Sequence, residues 1–279
     1  MPPAYGGQID VRYHLPDELW KLIRVLLPDP PSHAHGGRPR REDRACREGI
    51  LYVLKTGIPW RAVPRCFGPG TTLHDRFQEW AKAGVFDRLW ERCLLTYDEK
   101  VGIQWTWQSM DGAMAKAPLG GEATGPNPTD RAKSGTKRSL RTDGAGIPLA
   151  VVVAPANRND CKLVEPTLEA RRVLPPAVSQ HLCMDTGYDF DGVRTVVEAY
   201  CFPHPIRSRG DEQLEMERNR KRRPHHRVVE RAHAWTNQFP RLLVRWERKV
   251  ANYLAFVQFA CAAIVFRHLH ERRPTPASG

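Results

Sequence analysis

Residues 16–96 carry apolar side chains at the three- and four-residue spacing of amphipathic helices, separated by turns rich in proline and glycine. The clearest of four such segments places Leu73, Phe77 and Trp80 on one face. This pattern predicts a small all-α domain of the helix-turn-helix kind over residues 1–98, and we place the domain boundary there.

A different pattern begins near residue 101. Trp105 and Trp107 alternate with polar residues, which predicts a half-buried strand that ends at Asp111. Residues 116–135 are rich in glycine and proline, and they predict a long loop.

Strand-like and helix-like segments alternate through the rest of the chain. Two strand-like runs flank a turn at 143–146 and predict a hairpin, and a run at 181–184 stops at Asp185. Another strand is expected at 201–206, with helices on either side of these runs and a last one from about residue 227. This order predicts an α/β domain over 99–279, with a mixed sheet and flanking helices.

One apolar run, at 251–266, is about as long as a short membrane span, but it contains Asn252 and Gln258. We therefore expect a buried terminal helix and no membrane association.

The net charge of the chain indicates which class of partner it binds. Lysine and arginine number 43 against 31 aspartate and glutamate, a formal net charge of +12. Such a surplus favours a polyanion as the partner, nucleic acid first and an acidic membrane surface second.

The seven cysteines are scattered without a CxxC pair, which favours a reducing cytosol over a disulfide framework or a structural zinc site. We expect no nucleotide cofactor, since no phosphate-cradling glycine motif follows a predicted strand.

Three acidic residues are candidates for metal chemistry. Asp111 and Asp185 each sit where a predicted strand gives way to a turn with glycine, and ligands in such sheets gather at strand ends. Glu230 lies in a predicted helix between Arg227 and Arg231. Convergent carboxylates suit Mg²⁺, although each residue taken alone is equally typical of a turn or a surface ion pair.

Two basic regions are candidates for DNA contact. The cluster at 218–231 is either a solvated loop or a phosphate-binding segment. The start of the third helix, with Thr72, His74 and Arg76, matches the position from which a recognition helix reads a major groove. Helices joined by glycine and proline are also common in domains that bind no DNA.

The order and spacing of several segments resemble the DDE transposases of bacterial insertion sequences, in the group related to insertion sequence five. The resemblance covers roughly residues 13–250. Its main segments are GGRPRREDRACREGILYVLKTGIPWRAVP, SMDGAMAKAP, SGTKRSLRTDGAGIPLAVVVAPANRNDCKLVEP, CMDTGYDFDGVR and RVVERAHAWTNQFPRLLVRWERK.

This resemblance implies a helical DNA-binding leader followed by a ribonuclease-H-like catalytic domain, in which Asp111, Asp185 and Glu230 bind two Mg²⁺ ions, or Mn²⁺ in their place. The implied activity is hydrolysis at transposon ends and attack of the freed 3′-hydroxyl on target DNA. The alternatives are a decayed or domesticated DNA-binding protein and a metal-dependent nuclease that joins no strands.

The implied partners are the terminal inverted repeats of the element, the target DNA and further copies of the chain, in the cytoplasm at the nucleoid. The predicted DNA contacts of the catalytic domain are Arg227, Arg231, Arg220, Lys221, Arg222 and Arg223, with Lys133, Lys137 and Arg138 as weaker candidates.

Overall fold

A computed structural model describes residues 13–30, 39–202 and 227–271 of the chain. The predicted DNA contacts Arg220, Lys221, Arg222 and Arg223 lie outside these residues, as does most of the strand expected at 201–206.

The amino-terminal region is helical, as its pattern predicts. Its helices are α1 (Asp17–Arg24), α2 (Asp43–Thr56), α3 (Gly70–Lys82) and α4 (Val85–Lys100), with a short 3₁₀ turn at Trp60–Ala62. Helix α2 ends where Gly57 adopts a φ of 72°, a left-handed conformation that glycine takes without a steric penalty.

The sheet is mixed. Its strands are β1 (Trp107–Lys116), β2 (Gly125–Pro126), β3 (Ser134–Asp143), β4 (Pro148–Pro155) and β5 (His181–Cys183). Strand β3 pairs antiparallel with β1, β2 and β4, whereas β5 pairs parallel with the other edge of β1. Three long antiparallel strands followed by a strand parallel to the first form the arrangement of a ribonuclease-H-like domain, which confirms the predicted fold class.

The predicted hairpin between β3 and β4 is confirmed, and Asp143 stabilises its turn. The Oδ1 atom of Asp143 accepts hydrogen bonds from the backbone N–H groups of Ala145 and Ile147, and its Oδ2 atom accepts one from Gln104. A carboxylate that satisfies three backbone donors fixes the turn and, through it, the register of the two strands.

Helices cover both faces of the sheet. The remaining helices are α5 (Val164–Glu169), α6 (Asp191–Ala199), α7 (Arg227–Asn237), α8 (Pro240–Leu243) and α9 (Val250–Glu271), with 3₁₀ turns at Asp160–Leu163 and Thr186–Tyr188. Side chains of α5 and α6 pack against Met110 and Leu182 on one face. On the other face, side chains of α7 and α9 pack against Leu140 and Val151.

One hydrophobic core crosses the domain boundary predicted at residue 98. It contains residues of α1–α4, α9, β3 and β4, and the indole N–H of Trp90 donates a 3.1 Å hydrogen bond to the carbonyl of Pro148. The helical leader therefore packs directly on the sheet domain, while the division at residue 98 stays a prediction.

Helix α9 is long and apolar enough to span a membrane by length and composition, but 72% of its most apolar window is buried inside the protein. The prediction of a buried terminal helix is confirmed, because side chains such as Phe256 and Phe259 lie fully inside the core.

Candidate active site

Asp111 lies within β1 rather than at its end, which corrects the expectation from the sequence. The strand continues to Lys116 because residues 112–116 pair with residues 135–139 of β3. The Oδ1 atom of Asp111 accepts a 2.7 Å hydrogen bond from the backbone N–H of Gly112, so the carboxylate is held back against its own strand.

The register between β1 and β5 brings Asp185 next to Asp111. Ser109 lies opposite Cys183 in this parallel pair, and each aspartate comes two residues after its paired neighbour. The negative charge of Asp185 acts on Asp111 and raises its pKa, which agrees with this spacing. The sequence pattern extended the strand to residue 184, whereas β5 ends at Cys183, so Asp185 follows the strand by two residues.

Glu230 approaches from helix α7, which packs across β1 and β3. One turn later, the buried side chain of His233 donates a hydrogen bond to the backbone carbonyl of Asp111. This bond ties the helix that carries Glu230 to the strand that carries Asp111. Sequence reasoning missed His233, although its spacing from the buried residues Val229 and Ala232 places it on the inward face of α7.

The charges around Asp111 show that several carboxylates gather there. Burial raises the pKa of Asp111 most, and the negative charges of Asp160, Asp185 and Glu230 raise it further. A divalent cation would relieve both effects, since it offers positive charge to a partly desolvated set of oxygen donors. The donor chemistry therefore fits Mg²⁺ or Mn²⁺.

Within the described ranges, no three histidine, cysteine, aspartate or glutamate side chains come close enough together to enclose a metal ion by themselves. Paired Mg²⁺ ions need few protein ligands, because water and substrate phosphate supply the rest of each coordination shell. The charges of Asp160, Asp185 and Glu230 act on Asp111, but these residues of the described ranges form no closed protein cage.

The sequence analysis did not include Asp160 among the candidate site residues. Asp160 also accounts for the position of the Lys137 side chain, because the two form an ion pair. The ammonium group of Lys137 lies 2.8 Å from Asp160 Oδ2 and 2.9 Å from the carbonyl of Arg158. The Lys137 side chain is only 4% exposed. The expected phosphate contact of Lys137 is thus wrong for this structure, because the central position of β3 turns this side chain into the protein.

Arg138 is corrected in the same way. Its side chain is buried, and its Nη2 atom donates a 2.9 Å hydrogen bond to Asn237 Oδ1 at the end of α7. Arg138 therefore fastens α7 to β3 and offers no guanidinium group to DNA. The weaker candidate Lys133 is exposed in the loop before β3.

Arg231 remains on the surface beside Glu230. Its Nη2 atom donates a 2.9 Å hydrogen bond to the carbonyl of Ala145, and its guanidinium carbon lies 5.3 Å from the centre of the Trp235 ring. Arg227 is the first residue of α7. Both therefore belong to the helix of Glu230, at the edge of the acidic site.

The predicted recognition helix, α3, begins against the rest of the protein. A Cβ atom at Gly70 would overlap the carbonyl oxygen of Trp60, and the ring of His74 lies 5.2 Å from that of Trp60. Thr72 and His74 are half-buried, whereas Arg76 is buried and forms an ion pair with Asp43. The base-reading role expected of Arg76 is therefore wrong, because this residue joins α3 to α2.

Comparison with known proteins gives matches along most of the chain. The family described as "Putative transposase of IS4/5 family" matches residues 15–90, and the family described as "Transposase DDE domain" matches residues 108–265. The "Putative transposase for insertion sequence element IS402" of Burkholderia cepacia is 35% identical over 163 residues, which are 52% of this chain and 70% of that protein.

A second Burkholderia cepacia protein, the IS402 "uncharacterized 16.2 kDa protein", is 38% identical over 116 residues, 40% of this chain and 79% of its own length. Among solved structures, the Mos1 strand transfer complex is similar over 84% of this chain and 81% of that chain, with 12% identity and a TM-score of 0.25.

Proposed function

The chain belongs to the DDE transposase family and is a DNA transposase, and we propose that Asp111, Asp185 and Glu230 are its catalytic carboxylates and bind two Mg²⁺ ions. The observation that supports this proposal is the β1–β5 register, in which Ser109 pairs with Cys183, each two residues before one of the two aspartates. The effect of the Glu230 charge on the pKa of Asp111 supports the third position.

Each side chain of the site has its own role in the proposed reaction. Two divalent ions, when bound, activate an attacking oxygen and stabilise the leaving oxygen of a phosphodiester. Asp111 would supply an oxygen ligand from β1, Asp185 one from the segment after β5, and Glu230 one from α7. His233 would keep α7 in place over β1, and Arg231, the residue after Glu230, would contact a phosphate that enters the site.

We further propose that the basic segment before α7 holds the DNA backbone near these carboxylates. Arg220, Lys221, Arg222 and Arg223 precede Arg227 in the sequence, and three residues, Pro224 to His226, separate them from it. Replacing Arg222 and Arg223 by alanine is expected to weaken binding to all DNA sequences and to lower the slope of log affinity against log salt by about 2. An unchanged slope would mean that these arginines are solvated and do not contact DNA phosphate.

The decisive experiment separates a transposase from its two alternatives. The protein is incubated with DNA that carries the sequences flanking its gene, first with Mg²⁺ and then with EDTA. We expect nicking at the element ends with Mg²⁺ and none with EDTA. Equal binding in both conditions without nicking would instead support a non-catalytic DNA-binding protein.

A second assay supplies pre-cleaved ends and a target plasmid. Joined products are expected, because the freed 3′-hydroxyl can use the same two-ion site that the attacking water used. A nuclease that cuts but never joins would give no joined product. Since joining needs two ends held together, we propose a homo-oligomer on DNA in the cytoplasm, and sedimentation with and without end DNA tests it.

A further inference from the structure

Asp160 is held in a fixed position beside the acidic site. It opens the 3₁₀ turn Asp160–Leu163, which the side chain of Asn159 caps by accepting a 2.8 Å hydrogen bond from the N–H of Cys161. Its Oδ2 atom accepts a 2.8 Å bond from the buried ammonium group of Lys137. One carboxylate oxygen of Asp160 therefore already has a hydrogen-bond partner within the protein.

The other oxygen, Oδ1, faces the strand of Asp111. A Cβ atom at residue 112 would overlap Asp160 Oδ1, so only glycine leaves room for the carboxylate there. The N–H of the same Gly112 lies 2.7 Å from Asp111 Oδ1. Given the covalent geometry of one residue, Oδ1 of Asp160 and Oδ1 of Asp111 lie within about 8 Å of each other.

Asp160 Oδ1 is buried and has no hydrogen-bond partner among the described residues. The hydroxyl of Tyr188 is a second buried polar group without a hydrogen-bond partner in the described parts of the chain. The Tyr188 side chain is 4% exposed. The 3₁₀ turns that carry the two residues are joined by a 3.5 Å contact from Cys161 Sγ to the carbonyl of Gly187.

The Tyr188 hydroxyl lies within electrostatic range of the acidic residues. Besides burial, the negative charges of Asp160, Asp111 and Asp185 raise the pKa of Tyr188. A buried donor and a buried acceptor without partners are costly unless a further group completes them. A hydrated cation does so, because the water molecules bound to it donate to the carboxylate, and outer water hydrogen-bonded to them accepts from the hydroxyl.

We propose that Asp160 is a fourth acidic residue of the metal site, which strengthens divalent-cation binding through its Oδ1 atom, while Lys137 holds Oδ2. This inference rests on the metal site proposed above. The competing interpretation is that Asp160 and Lys137 form only a structural ion pair between β3 and the segment after β4.

The two interpretations predict different behaviour for two variants. Asp160→Asn keeps an oxygen that accepts from Lys137 but removes the negative charge. Lys137→Met removes the ammonium group but leaves the carboxylate. A structural ion pair predicts that both variants lose thermal stability and that neither loses cation affinity. A metal-site residue predicts that only Asp160→Asn loses affinity.

The experiment is a titration of the full-length protein with Mn²⁺, followed by electron paramagnetic resonance of the free ion, without DNA and without turnover. Relative to the unmodified protein, Asp160→Asn is expected to bind Mn²⁺ about 10-fold more weakly or worse, from the loss of one nearby charge. Lys137→Met is expected to bind at least as tightly. Glu165→Gln, an exposed acid five residues away on α5, is the control and is expected to change nothing.

An Asp160→Asn affinity within twofold of the unmodified protein would overturn the inference. Asp185→Asn is measured in parallel. If Asp185→Asn loses Mn²⁺ binding and Asp160→Asn does not, only the role of Asp160 is wrong. If Asp185→Asn binds Mn²⁺ normally, the proposed metal site itself is wrong. Circular dichroism melting identifies any variant that fails to fold, and Asp160→Glu, which restores the charge, is then expected to recover affinity.

Discussion

His233 donates a hydrogen bond to the backbone carbonyl of Asp111 and thereby links two elements of the active site. The imidazole is buried, and burial, with the charge of Arg138, lowers its pKa to about 4. The neutral ring therefore serves as a structural donor. Since Glu230 lies one turn earlier on the same helix, this contact connects the helix of Glu230 to the strand of Asp111.

Replacing His233 by leucine fills the space but removes the donor. We expect Mg²⁺-dependent cleavage to slow by about 10-fold to 100-fold, because small displacements of a catalytic group have effects of that size. The unfolding free energy is expected to fall by about 1–3 kcal/mol, since the Asp111 carbonyl loses its partner. His233→Asn, which retains a side-chain N–H, is the comparison. Full activity of the leucine variant would show that α7 needs no such anchor.

Gly112→Ala tests the close approach of Asp160 to β1. The new methyl group would overlap Asp160 Oδ1 and lie 3.4 Å from Lys137 Cδ, so either the strand or the carboxylate has to move. We expect a stability loss of about 1–3 kcal/mol, measured by urea unfolding.

Gly192→Ala is the matched control, since a Cβ atom there meets nothing within 4 Å. Gly192 lies in α6, where alanine is favoured over glycine by about 1 kcal/mol. The control is therefore expected to be as stable as the unmodified protein or more so. If both glycine variants behaved alike, the contact at residue 112 would have no energetic consequence.

Arg47 is a buried charge in the helical leader. Its side chain is 0% exposed, and none of its guanidinium nitrogens has a hydrogen-bond partner within the described residues. The guanidinium carbon lies 4.6 Å from the centre of the Trp80 ring, and burial lowers the pKa of Arg47 to about 9. The favourable ring contact offsets only part of the desolvation cost.

Arg47→Met keeps most of the volume and removes the charge. We expect a melting temperature equal to or above that of the unmodified protein, as for buried charges replaced by apolar residues of similar size. Arg47→Ala leaves a cavity instead, and a loss of about 2–5 kcal/mol is expected. A methionine variant as unstable as the alanine variant would mean that Arg47 has a polar partner.

His74 makes the leader sensitive to acid. Burial lowers the pKa of His74, Arg241 and Lys249 lower it further, and Asp75 opposes them. The unfolded chain therefore binds a proton more readily than the folded chain, so the contribution is present above about pH 6.5 and is lost as the pH falls through the folded-state value.

Urea unfolding at about pH 7.5 and about pH 5.5 measures this difference. His74→Gln is expected to lose less stability than the unmodified protein between these two conditions. His270→Gln, near the end of α9, controls for the removal of a histidine elsewhere. Equal losses in all three proteins would exclude His74 as the source.

Local pattern was sufficient for much of the fold. Helix α3 follows from the spacing of Leu73, Phe77 and Trp80, and the β3–β4 hairpin follows from the turn sequence around Asp143. The sequence pattern predicted too early a start for the strand of Asp111, because Trp105 alternates with polar neighbours as a strand residue does. In the structure, the strand begins only at Trp107.

Contacts between distant segments were beyond the reach of sequence patterns. The approach of Asp160 to Gly112 depends on the β3 register and on the turn after β4, neither of which is encoded locally. Arg76 was assigned to DNA from its position at the start of the third helix, and Lys137 and Arg138 were weaker candidates for phosphate contact. Each is buried with a polar partner instead, and only the tertiary structure shows that partner.

The most direct test of the metal-site assignment is Mg²⁺-dependent nicking of element-end DNA by Asp185→Asn beside the unmodified protein. The carboxamide fills the same space without the charge that attracts the cation. We predict that nicking is abolished while DNA affinity stays equal or rises. Nicking at the normal rate by Asp185→Asn would contradict the assignment of Asp111, Asp185 and Glu230 as the catalytic residues.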